Sequence, residues 1–477
     1  MSQQDLAPGE TPAPRHLARV IAITAAAAVG GLLFGFDTAV INGAVDSIQA
    51  DFGLSASVLG FTVAITLLGC AAGAWFAGGL ADRYGRKTVM VIAAILFAVN
   101  SAGSAYAFSE WDLMAWRLVG GLAIGIASVI VPGYIAEIAP SRWRGGLASV
   151  QQLAITVGIF AALLSDASLA SAAGGAGEEL WWGLSAWRWM LLVGVLPAAV
   201  YGVLALIIPE SPQYLIRQGR DEEAARVLSR VSGIHDTDAK TAQIRDSFER
   251  EDKAGYRDLR GPAFGLQPIL WVGMAIAALQ QLVGINAIFY YSTTLWQSVG
   301  FSESDSFTTS VITSVINVTM TFVAIFFVDR IGRRKLLLAG SVGMFVGLLA
   351  ATIAFSQASG SGENVSLTGI WGPMALVGAN LFVIFFAATW GPVMWVTLGE
   401  MFPNRIRSIA LGVATMVNWV FNFLVTLAFP WVSANLGLWT MYAAFTVFAV
   451  LSFFFVKDRL KEYSGQDLED NTELLAR

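Results

Sequence analysis

Apolar residues fall into twelve long runs separated by short polar breaks, near positions 17–43, 57–81, 88–107, 113–136, 146–165 and 187–208, then 265–296, 307–329, 336–356, 371–399, 408–428 and 435–456. A membrane-crossing helix needs ~20 mostly apolar residues, so the pattern predicts an all-α membrane protein with twelve transmembrane helices. The first run follows Arg15 and Arg19 and imitates a secretory leader. It extends too far for one and carries Asp37 near its middle, so it reads as the first span.

Composition agrees with this reading. The chain is 56% apolar and 13% charged, against ~25% charged in soluble domains, which excludes an ordinary soluble enzyme. One cysteine, Cys70, allows no intramolecular disulfide. His16 and His235 lie outside every run, so no histidine metal site or buried histidine relay is expected, and no cofactor. Neither a nucleophile–base pair nor a nucleotide loop points to an enzyme, and nothing points to a nucleic-acid partner.

If the spans alternate sides, both termini and the links 82–87, 137–145, 209–264, 330–335 and 400–407 share one face, which holds 27 of the 29 basic residues. The exceptions are Arg117, within the fourth span, and Arg188, at the start of the sixth. Basic loops resist translocation. The expectation is therefore a multi-pass protein of the cell membrane with both termini cytoplasmic, in contact with lipid and acting as a monomer.

An internal repeat divides the chain. The turn LADRYGRK, with Asp82, Arg83 and Arg86, returns as FVDRIGRRK, with Asp329, Arg330 and Arg333. Glu137, Arg142 and Arg144 return 263 positions later as Glu400, Arg405 and Arg407. Two six-helix halves, 1–208 and 263–477, joined by a linker at 209–262, account for both. A Glu at one helix end can pair with Arg of a neighbouring turn: Glu137 with Arg83 or Arg142, and Glu400 with Arg330 or Arg405. Such bridges would lock the cytoplasmic side. Between the halves, residues 211–260 carry ten acidic and ten basic residues at helical spacing, which fits either a solvated linker or short cytoplasmic helices that latch the halves. Gly69-x-x-x-Gly73 and Gly121-x-x-x-Gly125 offer small-residue faces for close helix approach.

Several of these segments carry a family likeness. Gly78-Gly79-Leu80-Ala81-Asp82-Arg83-Tyr84-Gly85-Arg86, Arg117-x-x-Gly120-Gly121, Tyr134-Ile135-Ala136-Glu137, Pro209-Glu210-Ser211-Pro212, QQLVGINAIFYYS (280–292) and WGPVMW (390–395) resemble the sugar porters of the major facilitator superfamily, over about residues 20–456. In type the chain is similar to the bacterial proton-linked xylose and glucose symporters. It departs after its last span, where the family usually has a Pro-Glu-Thr-Lys-Gly turn and this chain reads Val456-Lys457-Asp458-Arg459-Leu460. It also has Ala387 where the facilitative glucose transporters have Glu.

A neutral sugar offers hydroxyls that both donate and accept, and apolar ring faces. An Asn or Gln amide supplies a donor and an acceptor without a charge to desolvate. The seventh span brings Gln280, Gln281, Asn286 and Tyr290, whose offsets cannot share one straight helical stripe. A helix broken near Gly284 would turn them into one cavity. The resemblance implies sugar contacts by Gln152, Gln280, Gln281, Asn286, Trp395 and Asn418, with Phe34, Tyr290, Asn317, Phe386, Gly391, Trp419 and Asn422 around them. It also implies a gate that includes Glu210.

Asp37 reads as the one acidic residue well inside a span, and an intramembrane acid is functional by default. Its expected partner is Arg117. Desolvation and the Arg cation pull its proton affinity in opposite directions, so a change in either as the halves rock would couple proton to sugar. The resemblance implies the same, since the proton-linked members have Asp here. The expected function is proton-coupled symport of a monosaccharide of the glucose or xylose class; facilitative uniport and sugar sensing are the alternatives.

Overall fold

The computed structural model describes residues 14–138, 144–234, 236–250, 256–358, 366–402 and 406–462. Five long helices come first: α1 (Pro14–Phe52), α2 (Ala56–Tyr84), α3 (Arg86–Ala105), α4 (Glu110–Ile138) and α5 (Arg144–Ala173). A small antiparallel hairpin, β1 (Glu179–Trp181) and β2 (Leu184–Ser185), leads into a sixth span built from α6 (Ala186–Val193) and α7 (Val195–Ile207). Three short helices follow, α8 (Pro212–Arg217), α9 (Asp221–Val227) and α10 (Thr237–Arg250).

The second half opens with a seventh span in three pieces, α11 (Pro268–Leu282), α12 (Ile285–Tyr290) and α13 (Ser292–Gln297). Then come α14 (Glu303–Ile331), α15 (Arg333–Ser356), a tenth span split into α16 (Trp371–Phe385) and α17 (Gly391–Met401), α18 (Arg407–Leu436) and α19 (Leu438–Arg459). Among the described residues, twelve segments are long and apolar enough to cross a membrane. They coincide with the twelve apolar runs, but α1 continues past 43 to Phe52, α5 past 165 to Ala173 and α18 past 428 to Leu436. The extensions of α1 and α5 carry half-buried Asp46 and buried Asp166. Their polarity ends the hydropathy signal while the helix goes on.

Local chemistry explains several boundaries. The Ser55 hydroxyl accepts from Val58 N–H to cap α2, and Ser211 caps α8 with Pro212 in its first turn. Gly85 and Gly332 separate α2 from α3 and α14 from α15 at φ 88° and 93°. Only glycine takes that conformation without strain, so the repeated Asp-Arg-x-Gly-Arg turn has a backbone reason.

Glycines also set the packing. Gly69 and Gly73 of α2 face Gly121 and Gly125 of α4 so closely that a Cβ at any of them would strike opposed backbone, including the Cys70 carbonyl. Gly35 and Gly158 do the same for α1 and α5. Between the halves, α2 runs along α18 and α5 along α14.

The short helices of the linker dock on the first half. Arg217 of α8 pairs with Asp82 at 2.8 Å, Tyr134 Oη donates to the Pro209 carbonyl at 2.6 Å, and Arg19 of α1 donates to the Arg230 carbonyl at 2.6 Å. Asp221 and Arg245 tie α9 to α10.

Candidate functional site

The seventh span breaks as its sequence predicts. Gly284 has φ 88°, and the ring of Phe445 fills the space where a Cβ would sit. The break carries Gln280 and Gln281, at the end of α11, into contact with Asn286 on α12 and Asn418 on α18. Asn286 Nδ2 donates to Gln281 Oε1 at 2.8 Å, and Gln281 Nε2 donates to Asn418 Oδ1 at 3.0 Å. Asn418 Nδ2 donates to Gln280 Oε1 and to the Ala277 carbonyl, both at 2.9 Å.

Gln280 Nε2 in turn donates to the carbonyls of Trp390 and Gly391, where the tenth span widens into a π turn at Phe386–Trp390 ahead of Pro392. Such π turns concentrate at functional sites. Four amides from two spans, bonded to the backbone of a third, thus form one connected network.

Aromatic and polar groups flank it. Phe34 of α1 lies 5.4 Å from the ring of buried Trp419, whose indole Nε1–H has no partner. Asn422 Nδ2 reaches Tyr290 Oη at 3.5 Å and its carbonyl accepts from Thr426. Phe386 packs against Gly391, and Asn317 is buried on α14. Gln152, on α5, is half-buried. Trp395 is 37% exposed, as much as Val58.

Asp37 and Arg117 meet as expected, 3.1 Å apart and both 2% exposed. Asn100 of α3, which sequence reasoning missed, donates to the same Oδ1 at 3.1 Å, while Oδ2 and Arg117 Nε have no hydrogen-bond partner. The available signal was an Asn, with Ser101 and Ser104 after it, in a mostly apolar third span. Asp37 is not the only acid within the helices: on the extended parts of α5 and α1, Asp166 is buried and Asp46 half-buried.

The two halves are joined at the end away from the basic links. Thr293 N–H and Oγ1 donate to Asn42 Oδ1 and carbonyl at 3.0 and 2.7 Å. Thr294 Oγ1 and Gln297 Nε2 donate to Asp46 at 2.7 and 3.1 Å, and Ala176 N–H to Glu303 at 2.8 Å.

At the basic end the expected pairings are corrected. Glu137 accepts from Arg86, at 2.9 Å, not from Arg83, whose guanidinium lies over Tyr84. Glu400 accepts from Arg333, at 2.7 Å, while Arg330 is exposed. The Gly85 and Gly332 turns aim the Arg that follows them inward. Each bridge joins helices of one half, and Asp82 binds Arg86 and Arg217. Arg142 and Arg405, and the side chains of Arg144, Asp329 and Arg407, lie outside the described residues.

Glu210 accepts from the backbone N–H of Arg86 and Lys87, and Glu137 also accepts from the Ser211 hydroxyl. In the second half Glu462 takes the place of Glu210, accepting from the N–H of Arg333 and Arg334 at 3.0 Å. The divergent tail therefore still supplies a carboxylate to that turn; sequence reasoning missed Glu462 because its flanking residues differ.

The family model described as sugar (and other) transporter matches residues 23–475. A glucose transport protein of Synechocystis sp. is 48% identical over 94% of this chain and 96% of its own. The D-xylose-proton symporter of Escherichia coli is 33% identical over 94% of each. Among solved structures, a proton:xylose symporter bound to 6-bromo-6-deoxy-D-glucose has TM-score 0.79 at 32% identity, covering 96% of this chain and all of its own. The inward open conformation of the xylose transporter from E. coli has TM-score 0.80 at 32% identity, over 95% and 99%.

Proposed function

The chain belongs to the sugar porter family of the major facilitator superfamily, and from that premise we propose that it carries a monosaccharide of the glucose or xylose class together with a proton, by alternating access. Sugar transport follows from the relatives; proton coupling is the finer reading. The observation that carries it is the Asp37 cluster. One carboxylate oxygen is held by Arg117 and Asn100 and the other has no partner. A carboxylate so placed gains or loses proton affinity as its cation and its hydration change.

The sugar is bound by the amides Gln280, Gln281, Asn286 and Asn418, with the free Trp419 N–H as a further donor and Phe34 and Trp419 against the ring. Gln152, Tyr290, Asn317, Phe386, Gly391, Trp395 and Asn422 complete the site. Amides already bonded to one another are held in fixed orientation, so exchanging an amide partner for a sugar hydroxyl replaces one neutral hydrogen bond by another. The halves, 1–208 and 263–477, rock about this site with 209–262 between them, in a single chain. The Glu/Arg turns, with Asp82, Arg83, Arg142, Arg144, Glu210, Asp329, Arg330, Arg405 and Arg407, form the gate on the side we assign to the cytoplasm, in the cell membrane.

The test is uptake of radiolabelled glucose and xylose into proteoliposomes with and without an imposed inward proton gradient. Accumulation above the equilibrium level only with the gradient is expected. Uptake that stops at equilibrium with the gradient in place would make the protein a uniporter.

A further inference from the structure

A second acid within the spanning helices is used by neither the amide network nor the Asp37 cluster. Asp166 lies on α5 with 0% exposure, and neither carboxyl oxygen makes a hydrogen bond. Its carboxyl is pressed against α1: a Cβ on Gly43 would meet Asp166 Oδ2 at 2.7 Å. The Gly43 backbone is its polar neighbour, outside hydrogen-bonding geometry.

The charged groups on the surrounding elements are engaged elsewhere. On α1, Asp37 is held by Arg117 and Asn100, Asp46 by Thr294 and Gln297, and Asp51 accepts from the Trp187 indole. Arg188 of α6 donates to the carbonyls of Ala105 and Ala107, Arg117 of α4 is on Asp37, and Glu303 of α14 accepts from Ala176. Glu179 of β1 is exposed. Among the described residues, then, no cation is given to Asp166. An ionised carboxylate there would have neither water nor counter-charge, which is the costliest state for a buried acid.

We propose that Asp166 carries a proton in this conformation and exchanges it with the outer solution when the outer end opens. Gly43 follows Asn42, which holds Thr293, and Asp46 holds Thr294 and Gln297. Parting these contacts admits water beside Gly43. The O–H bond then breaks, the proton passes to water and the carboxylate keeps the electron pair; closing reverses the transfer. This site is separate from Asp37 and does not depend on its role.

Infrared spectra of the purified full chain over a pH series test this. A protonated-carboxyl carbonyl band is expected at neutral pH, retained in Asp37→Asn and lost in Asp166→Asn; sugar-induced thermal stabilisation of the latter checks its fold. Should that variant fail to fold, Asp166→Glu is expected to move the band. In Asn42→Ala, which loosens the outer closure, the band should vanish as pH rises, while in the wild type it persists. A band unchanged by both Asp166 substitutions, or as insensitive to pH in Asn42→Ala as in the wild type, overturns the proposal. Because the band survives in Asp37→Asn, the outcome is read whether or not Asp37 couples protons to sugar.

Discussion

Asp37 is paired through one oxygen only, and the open oxygen is what a proton needs. Asp37→Asn keeps the shape and an acceptor oxygen for Arg117 but removes the exchangeable proton. Uphill accumulation of sugar should therefore be lost, while sugar exchange at equal concentrations persists; both are read in proteoliposomes. Gln281 is the hub of the amide network, bonded to Gln280, Asn286 and Asn418. Gln281→Ala strands buried partners at about 1–3 kcal/mol each, and 1.4 kcal/mol is tenfold in affinity. Sugar-induced thermal stabilisation should weaken by at least about tenfold in concentration, with membrane insertion unchanged. These residues were legible because a polar group inside an apolar run has few structural reasons to be there. Arg86 and Arg83 were not distinguishable, since both sit in one basic turn and the φ of Gly85 decides which turns inward. Asn100 escaped notice because a single Asn reads equally well as an interhelical contact.

The broken seventh helix depends on one backbone angle. Gly284→Ala forces a Cβ into the left-handed region, at about 1–3 kcal/mol, and into the Phe445 ring. A lower melting temperature together with weaker sugar binding is expected from thermal shift with and without ligand. Gly121→Ala meets opposed backbone of α2 instead, so it should lower the melting temperature without a specific loss of ligand response. Element number and order were readable from hydropathy, and the Gly284 break from the spread of amides around it. Helix ends were less so. α1 and α5 extend beyond their apolar runs because Asp46 is bonded by Thr294 and Gln297 and Asp166 is buried by protein, and contact with a neighbour leaves no periodic mark in one sequence.

Among the described residues, the side-chain hydrogen bonds that join the halves through Asn42, Asp46 and Glu303 lie at one end, while the Glu137 and Glu400 ion pairs at the other end stay within a half. Glu137→Gln and Glu400→Gln should shift the balance between inward and outward forms, since each bridge sets the angle between a turn and the helix that faces it. Unchanged accessibility at both ends in both variants would reject the gate. The repeat made this symmetry visible in the sequence, and Glu462 extends it: the second half closes its turn with a carboxylate from the tail as the first does with Glu210. Cys70, the chain's one thiol, is buried where the α2 backbone meets Gly125. Maleimides and spin labels thus find no native target on either surface. Pairs of cysteines introduced across the outer and inner ends can report opening and closing in the otherwise unaltered protein.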